Sequence, residues 1–111
     1  MSDPLAEREF VPCAAGTPPL GASEREALLA ELDGWTVVDG HHLAKEYRFH
    51  DFVSALAFVN RVGALSEAVN HHPDLHLRWG RVAVEVWTHT IDGLAVSDFV
   101  WAAKCDQALG A

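Results

Sequence analysis

The chain has 111 residues, half of them hydrophobic, which suits one domain with its own core and is too apolar for a disordered polymer. Sixteen acidic residues against eight basic ones give a formal net charge of -8, which disfavours direct nucleic-acid binding because that needs a concentrated basic footprint. Two cysteines, Cys13 and Cys105, are too few and too far apart for a disulfide framework or a thiolate zinc site.

No apolar run approaches the roughly 20 residues that span a bilayer, and the acidic start, with Asp3, Glu7 and Glu9, does not resemble a secretory signal. A cytoplasmic protein without a membrane partner is expected. Residues 1–22 hold Pro4, Pro12, Pro18 and Pro19 and read as a flexible, Pro-rich N-terminal segment to which no chemistry is assigned; residues 23–111 read as the domain. Ser23 followed by Glu26 is a capping-box pattern, and Ala27, Leu28 and Leu32 then keep helical spacing until Asp33-Gly34.

Trp35 to Val38 and His41 to Phe49 flank Asp39-Gly40, a strong hairpin signal, with Leu43, Lys45, Tyr47 and Phe49 on one side. Lys45 is the imperfect member of that side. From Asp51 to about Asn70 the residues Phe52, Leu56, Val59, Phe58, Val62, Leu65 and Val69 keep a helical period on a wide face. His71-His72-Pro73 stops this helix, since the residue before a proline is pushed out of the α region.

Leu75 to Trp79 and Arg81 to His89 form a second hairpin around Gly80, with Val82, Val84 and Val86 alternating against Ala83, Glu85 and Trp87. Beyond Asp92-Gly93, Phe99, Val100, Ala103 and Leu109 give a third helix. The order α-β-β-α-β-β-α predicts an α+β domain, a four-stranded antiparallel sheet with three helices packed on one face.

Candidate chemistry is concentrated in Glu67 to Pro73 and in Trp87-Thr88-His89. Glu67 lies four residues before His71, so a continuing helix would set its carboxylate beneath that imidazole and orient it. The hairpin returns the chain toward its starting level, which lets His71, His72 and His89 meet. Imidazoles titrate near neutrality and can both give and take a proton within one cycle.

Blander readings exist for each. Asn70 to Pro73 can be merely a helix stop; His41, His42, His50 and His76 are expected to be solvated, since nothing in sequence pairs them with a second functional group. Trp79 and Trp87 are expected in the core, although an aromatic beside a pocket can stack on a flat heterocycle. His71, His72, His89 and Glu67 are conceivable zinc or iron ligands, but adjacent histidines on a turn rarely point at one ion and no H-E-x-x-H pair is present, so no metal is expected.

Glu67-x-x-Asn70-His71-His72-Pro73-Asp74, Trp79-x-x-Val82-x-Val84-x-Val86-x-Thr88-His89 and Gly93-Leu94-x-x-x-Asp98 together resemble the signature of the pterin-4a-carbinolamine dehydratases. The likeness runs from about Ser23 to Gln107 and includes Gly34-Trp35 and Phe49-x-Asp51-Phe52. It implies the fold derived above and a lyase that dehydrates 4a-hydroxytetrahydrobiopterin, or a related pterin, to the quinonoid dihydropterin in tetrahydropterin recycling. The same resemblance places acid/base roles on His71, His72 and His89, with Glu67 supporting the first histidine.

Pterin contacts are thereby implied for Glu67, His71, His72, Pro73, Thr88, His89, Thr90, Ile91 and Asp98, with no metal or organic cofactor. The resemblance also implies a homodimer or homotetramer. An alternative from the same family is an interaction protein, a transcriptional dimerisation cofactor or a Rubisco-assembly factor, for which loss of pocket histidines would be expected. The chain departs from the family pattern at Ala95, where a threonine is usual and would complete a capping box with Asp98; Ser97 is expected to cap in its place.

Overall fold

Asp39 and Gly40 both take positive φ, 53° and 65°, and with His41 they turn strand β1 (Thr36–Val38) back onto strand β2 (His42–Arg48). The computed structural model that shows this describes residues 4–109; the first three residues of the expected lead-in and the last two of the expected domain lie outside the described residues. A second turn at Trp79-Gly80 joins β3 (Asp74–Arg78) to β4 (Arg81–Val86). Gly80 is required there: its φ is 71°, and a Cβ would come within 2.9 Å of the Phe49 carbonyl oxygen. The expected core position of Trp79 is wrong, because at this tip it has no layer above it and stands 71% exposed.

All pairings are antiparallel and the strand order is β1-β2-β4-β3, so β2 and β4 lie in the middle of the four-stranded sheet. The inward face carries Leu43, Tyr47, Val82, Val84 and Val86, all buried. Lys45 shares that side because its ammonium escapes to the edge, donating to the Asp33 carbonyl at 2.7 Å and pairing with Asp106 at 2.8 Å. Asp106 also accepts from the Tyr47 hydroxyl and from Trp35 Nε1 at 3.1 Å. Burial pushes the neighbouring Tyr47 phenol above its usual range and the Cys105 thiol up to about 12.

Helix α1 spans Ala22–Leu29, α2 Phe52–Val69 and α3 Val96–Leu109, giving the order α-β-β-α-β-β-α of the α+β reading. The expected capping by Ser23 is not made: the N-cap is Gly21, without a side-chain bond, and Ser23 lies inside the first turn. Asp51 does cap α2, accepting the Ser54 N–H at 2.8 Å; hydrogen bonding from the Ser54 side chain, and then from its N–H, holds the carboxyl below the usual range. On α2 the fully buried stripe is Ala55, Phe58, Val62 and Ser66, with Val59, Leu65 and Val69 of the expected wide face packed partly buried beside it, whereas Phe52 and Leu56 of that face, and Val53, stay exposed. Eighteen apolar-rich residues give α2 the length and composition of a membrane span, yet this stripe seats it on the sheet as a core helix.

The lead-in is laid against α3. Leu5 is buried in the core at the start of a single 3-10 turn, Leu5–Glu7, and the Ala6 carbonyl accepts from Lys104 Nζ at 2.9 Å. Farther along, the Leu20 N–H donates to the Leu94 carbonyl at 2.9 Å.

Candidate active site

Asn70 closes α2 in the left-handed conformation, φ 54° and ψ 47°, with its N–H and that of His71 both bonded to the Ser66 carbonyl. The reversal of backbone hand, not Pro73 alone, is what ends the helix and throws the next two rings off its axis. His71 turns inward and is largely buried, whereas His72 stays half exposed.

The carboxylate expected beneath His71 goes to its neighbour. Glu67 pairs with His72, because the left-handed turn carries His71 away from the helix face where an i,i+4 contact would have formed. His71 Nε2 instead meets Asp98 Oδ1 at 2.6 Å. Asp98 is fully buried in the first turn of α3, and its second oxygen accepts from Thr88 Oγ1 at 2.7 Å and from the Ala95 N–H at 2.9 Å.

An ionised carboxylate is an acceptor only, and Thr88 and Ala95 both present it with donors. His71 therefore donates from Nε2 in its neutral form and keeps Nδ1 as its proton-accepting nitrogen. Asp98 also half-completes the capping box of α3, and the Asp98 N–H returns to the Ala95 carbonyl at 3.1 Å. Ser97 does not cap: its hydroxyl is buried without a partner among the described residues, and the helix already starts at Val96.

His89 was expected at the end of the last strand, but β4 finishes at Val86 and His89 opens a 3-10 turn, His89–Ile91. The turn is pinched shut by Thr88 and Gly93, whose backbones pair with N–H to carbonyl distances of 2.9 and 3.4 Å. The His89 ring lies edge-on to Trp87, 4.5 Å between centroids.

These elements enclose a cavity of about 240 Å³. His71, His72, Thr88, His89 and Thr90 line it, so the three histidines meet as their spacing predicts. Pro73 and Ile91 are not in its wall, and Glu67 and Asp98 stand behind the rings they bond. Asn70 and Trp87, from the two segments in which the chemistry was sought, also line it; Phe10, Pro12 and Cys13 complete the lining and were not foreseen. A larger hollow, about 620 Å³, lies beside Arg48, His50 and Arg61; its one imidazole, His50, is 3.4 Å from Asp51 but stands largely in solvent, and the hollow is the weaker candidate for acid/base work.

Trp87 packs against the core as expected and also faces the cavity. The neighbouring His41 and His42 are half-buried rather than solvated. His41 Nε2 meets Asp92 at 2.8 Å, the two Nδ1 atoms are 3.1 Å apart, and His42 Nε2 is 3.3 Å from Glu85. Both rings flank Trp87, with centroids at 5.1 and 5.7 Å. The signal was the register: Val86 opposes Leu43, so one step further along each strand sets Trp87 beside His42. His76 pairs with Glu85 at 3.1 Å, and His50 is largely in solvent near Asp51. Among the described residues no three His, Cys, Asp or Glu side chains are grouped closely enough to hold a metal ion.

Comparison with known proteins gives the family and the fold. The profile of the family described as pterin 4 alpha carbinolamine dehydratase matches residues 18–108. A protein of Rubrobacter xylanophilus, provisionally named pterin-4-alpha-carbinolamine dehydratase, is 57% identical over 103 residues, 93% of this chain and 96% of the relative. A relative of the same name from Alkaliphilus metalliredigens is 46% identical over 93% of this chain and 94% of its own length.

Among solved structures, a transcriptional coactivator/pterin dehydratase from Brucella melitensis superposes with a TM-score of 0.78 at 32% identity, covering 83% of this chain and 99% of that one. A pterin dehydratase-like protein identified as a RuBisCO assembly factor in the alpha-carboxysome shares the fold, with a TM-score of 0.62 at 22% identity over 71% of this chain and 93% of that one. The motif order, the fold and these matches together establish that the chain belongs to the pterin-4-alpha-carbinolamine dehydratase family of lyases.

Proposed function

We propose that this protein dehydrates 4a-hydroxytetrahydropterins, of which 4a-hydroxytetrahydrobiopterin is the expected substrate, to the quinonoid dihydropterin and water in cytoplasmic tetrahydropterin recycling. The observation that carries the proposal is the buried Asp98–His71 pair at 2.6 Å, set in one cavity with His72 and His89. A carboxylate that fixes an imidazole's tautomer is the usual support of a general acid/base histidine.

In the reaction the C4a–O bond breaks as an imidazolium gives its proton to the departing hydroxyl, which leaves as water. The N5 lone pair forms the C4a=N5 double bond, and a neutral imidazole takes the N5 proton. One proton is given and one is taken, so the proton count of the histidines is unchanged; a proton passes from the base back to the acid through solvent before the next turnover, and no metal or organic cofactor is needed. His71 and His89 are assigned the proton transfers, while His72, tethered to Glu67, positions the pterin. Acid/base help of this kind accelerates a step by about 10²–10⁴-fold.

Assembly into homodimers or homotetramers belongs to the same reading, and the exposed Phe52, Val53 and Leu56 on α2 support it. The names of the two structural neighbours support a second reading, an interaction or assembly role on this fold. Ultraviolet absorbance of freshly generated 4a-hydroxytetrahydropterin distinguishes them. Acceleration by the wild type, weakened in His72→Ala and lost in the His71→Ala, His89→Ala double variant, is expected. No acceleration over the spontaneous reaction refutes the enzyme and leaves the interaction role; near-normal turnover in the double variant refutes the proton-transfer assignment.

A further inference from the structure

The part of the chain that precedes the family match at residue 18 supplies three residues to the wall of the cavity. This segment is anchored on both sides of that wall. Upstream, Leu5 is buried in the core and the Ala6 carbonyl is held by Lys104 of α3, the helix that carries Asp98. Downstream, Leu20 bonds Leu94, and Pro19 packs so closely on Gly93 that a Cβ there would lie 3.0 Å from it. Gly93 closes the turn that carries His89, so each anchor sits on an element that also places a catalytic candidate.

Between the anchors, Phe10, Pro12 and Cys13 face the cavity, and the Phe10 ring lies 5.2 Å from the His71 ring at a tilt of 43°. An aromatic ring and a proline beside three imidazoles give a cavity otherwise rich in polar groups an apolar surface. That surface suits a planar bicyclic heterocycle, whose faces are apolar and whose edges carry the hydrogen-bonding groups.

Resting on the pterin reading above, we infer that residues 8–17 form a strap that completes the substrate site, and that Phe10 is a positioning residue that stacks on the heterocycle and holds it against His71. The strap also covers His71, whose side chain is largely buried beside Phe10, so proton transfer at that ring runs with less access for bulk water. Phe10 moves no proton itself, so its loss is read mainly in affinity.

The test compares wild type, Phe10→Ala and Phe10→Tyr in 7,8-dihydrobiopterin binding by calorimetry and in dehydration kinetics. Stacking of a heterocycle on an aromatic side chain predicts about a tenfold loss of affinity and a rise of about tenfold in KM for Phe10→Ala, a far smaller change in kcat, and recovery in Phe10→Tyr. A second measurement leaves the fold untouched: in the wild type, bound 7,8-dihydrobiopterin slows alkylation of Cys13 by iodoacetamide, while buried Cys105 stays unmodified. Tight pterin binding by the wild type with equal affinity in Phe10→Ala overturns the strap and leaves the pterin site standing, as does an unchanged Cys13 alkylation rate. Binding that depends on Phe10 without any dehydration supports the strap and refutes the catalytic reading. A wild type that binds no pterin overturns both.

Discussion

His71 Nε2 and Asp98 Oδ1 lie 2.6 Å apart although 27 residues separate them, joined by the end of α2 and the first turn of α3. The same carboxylate also holds Thr88 and the Ala95 N–H, so it fixes a ring, the entry to the His89 turn and a helix start together. Asp98→Asn is expected to keep the fold and lose catalysis. If the amide oxygen stays with Thr88 and Ala95, its NH₂ faces His71 and drives the imidazole proton to Nδ1, the wrong nitrogen for a base. A fall in kcat of about 10²-fold or more is expected by stopped-flow absorbance, with the circular dichroism spectrum unchanged. Asp98→Ala, which leaves the buried donors of Thr88 and Ala95 unpaired, is expected to destabilise by about 3 kcal/mol in urea melts.

Completion of the α3 cap is expected to stabilise the fold. Ala95 gives its N–H to Asp98 but has no hydroxyl to accept in return, and Ser97, one turn position too late, buries an unpaired hydroxyl instead. Ala95→Thr offers the Asp98 N–H a side-chain acceptor beside the Ala95 carbonyl it already meets at 3.1 Å, completing the reciprocal cap. A cavity of about 270 Å³ borders Ala95, so the added atoms have room. A gain of about 1 kcal/mol is expected, seen as a rise of about 4 °C in Tm by calorimetry. An unchanged or lowered Tm would show that the hydroxyl does not reach the Asp98 N–H.

Strong periodicity made the sheet and α2 legible in the sequence: the valines of β4 alternate, Asp39-Gly40 can hold two positive φ values, and Asp51 is a good N-cap. The histidine cluster was legible because a hairpin returns the chain toward its start. Carboxylate pairing was not, since i,i+4 reasoning assumes a helix that Asn70 ends one residue early. Asp98 reaches His71 only through packing of α3, which no local spacing encodes. The strap was illegible for a different reason: residues 8–17 have no hydrophobic period, and Phe10 meets His71, far away in sequence, only through the fold.

Alkaline stability is set in part by the cluster beneath β2. Burial raises the Cys105 thiol from 9.0 to about 12, and burial also raises the Tyr47 phenol, which bonds both Cys105 and Asp106. Above pH 9 the unfolded chain releases the thiol proton while the folded chain keeps it, so the unfolded state binds fewer protons and stability falls as pH rises. The loss approaches about 1.4 kcal/mol per pH unit for each such group until the folded group itself ionises. Urea melts at pH 8, 9.5 and 11 should show this decline, and Cys105→Ser should flatten it between pH 8 and 9.5, where tyrosine does not yet contribute. An equal slope in the variant would place the alkaline loss elsewhere.

Self-association is expected to use the outer face of α2. Val53 is 74% exposed, with Phe52 and Leu56 beside it on the same helix, while the stripe of Ala55, Phe58, Val62 and Ser66 faces inward. Three large apolar side chains left uncovered on a well-capped helix lose favourable burial that a second copy of the chain can supply. Sedimentation of the wild type is expected to give a multiple of the 12.1 kDa chain. Val53→Asp buries a charge in any such contact and should shift the distribution toward monomer, with Tm in the dissociated protein unaffected by protein concentration. A wild type that sediments as a monomer at all concentrations, or a Val53→Asp protein that keeps the wild-type mass, would exclude this face as the contact.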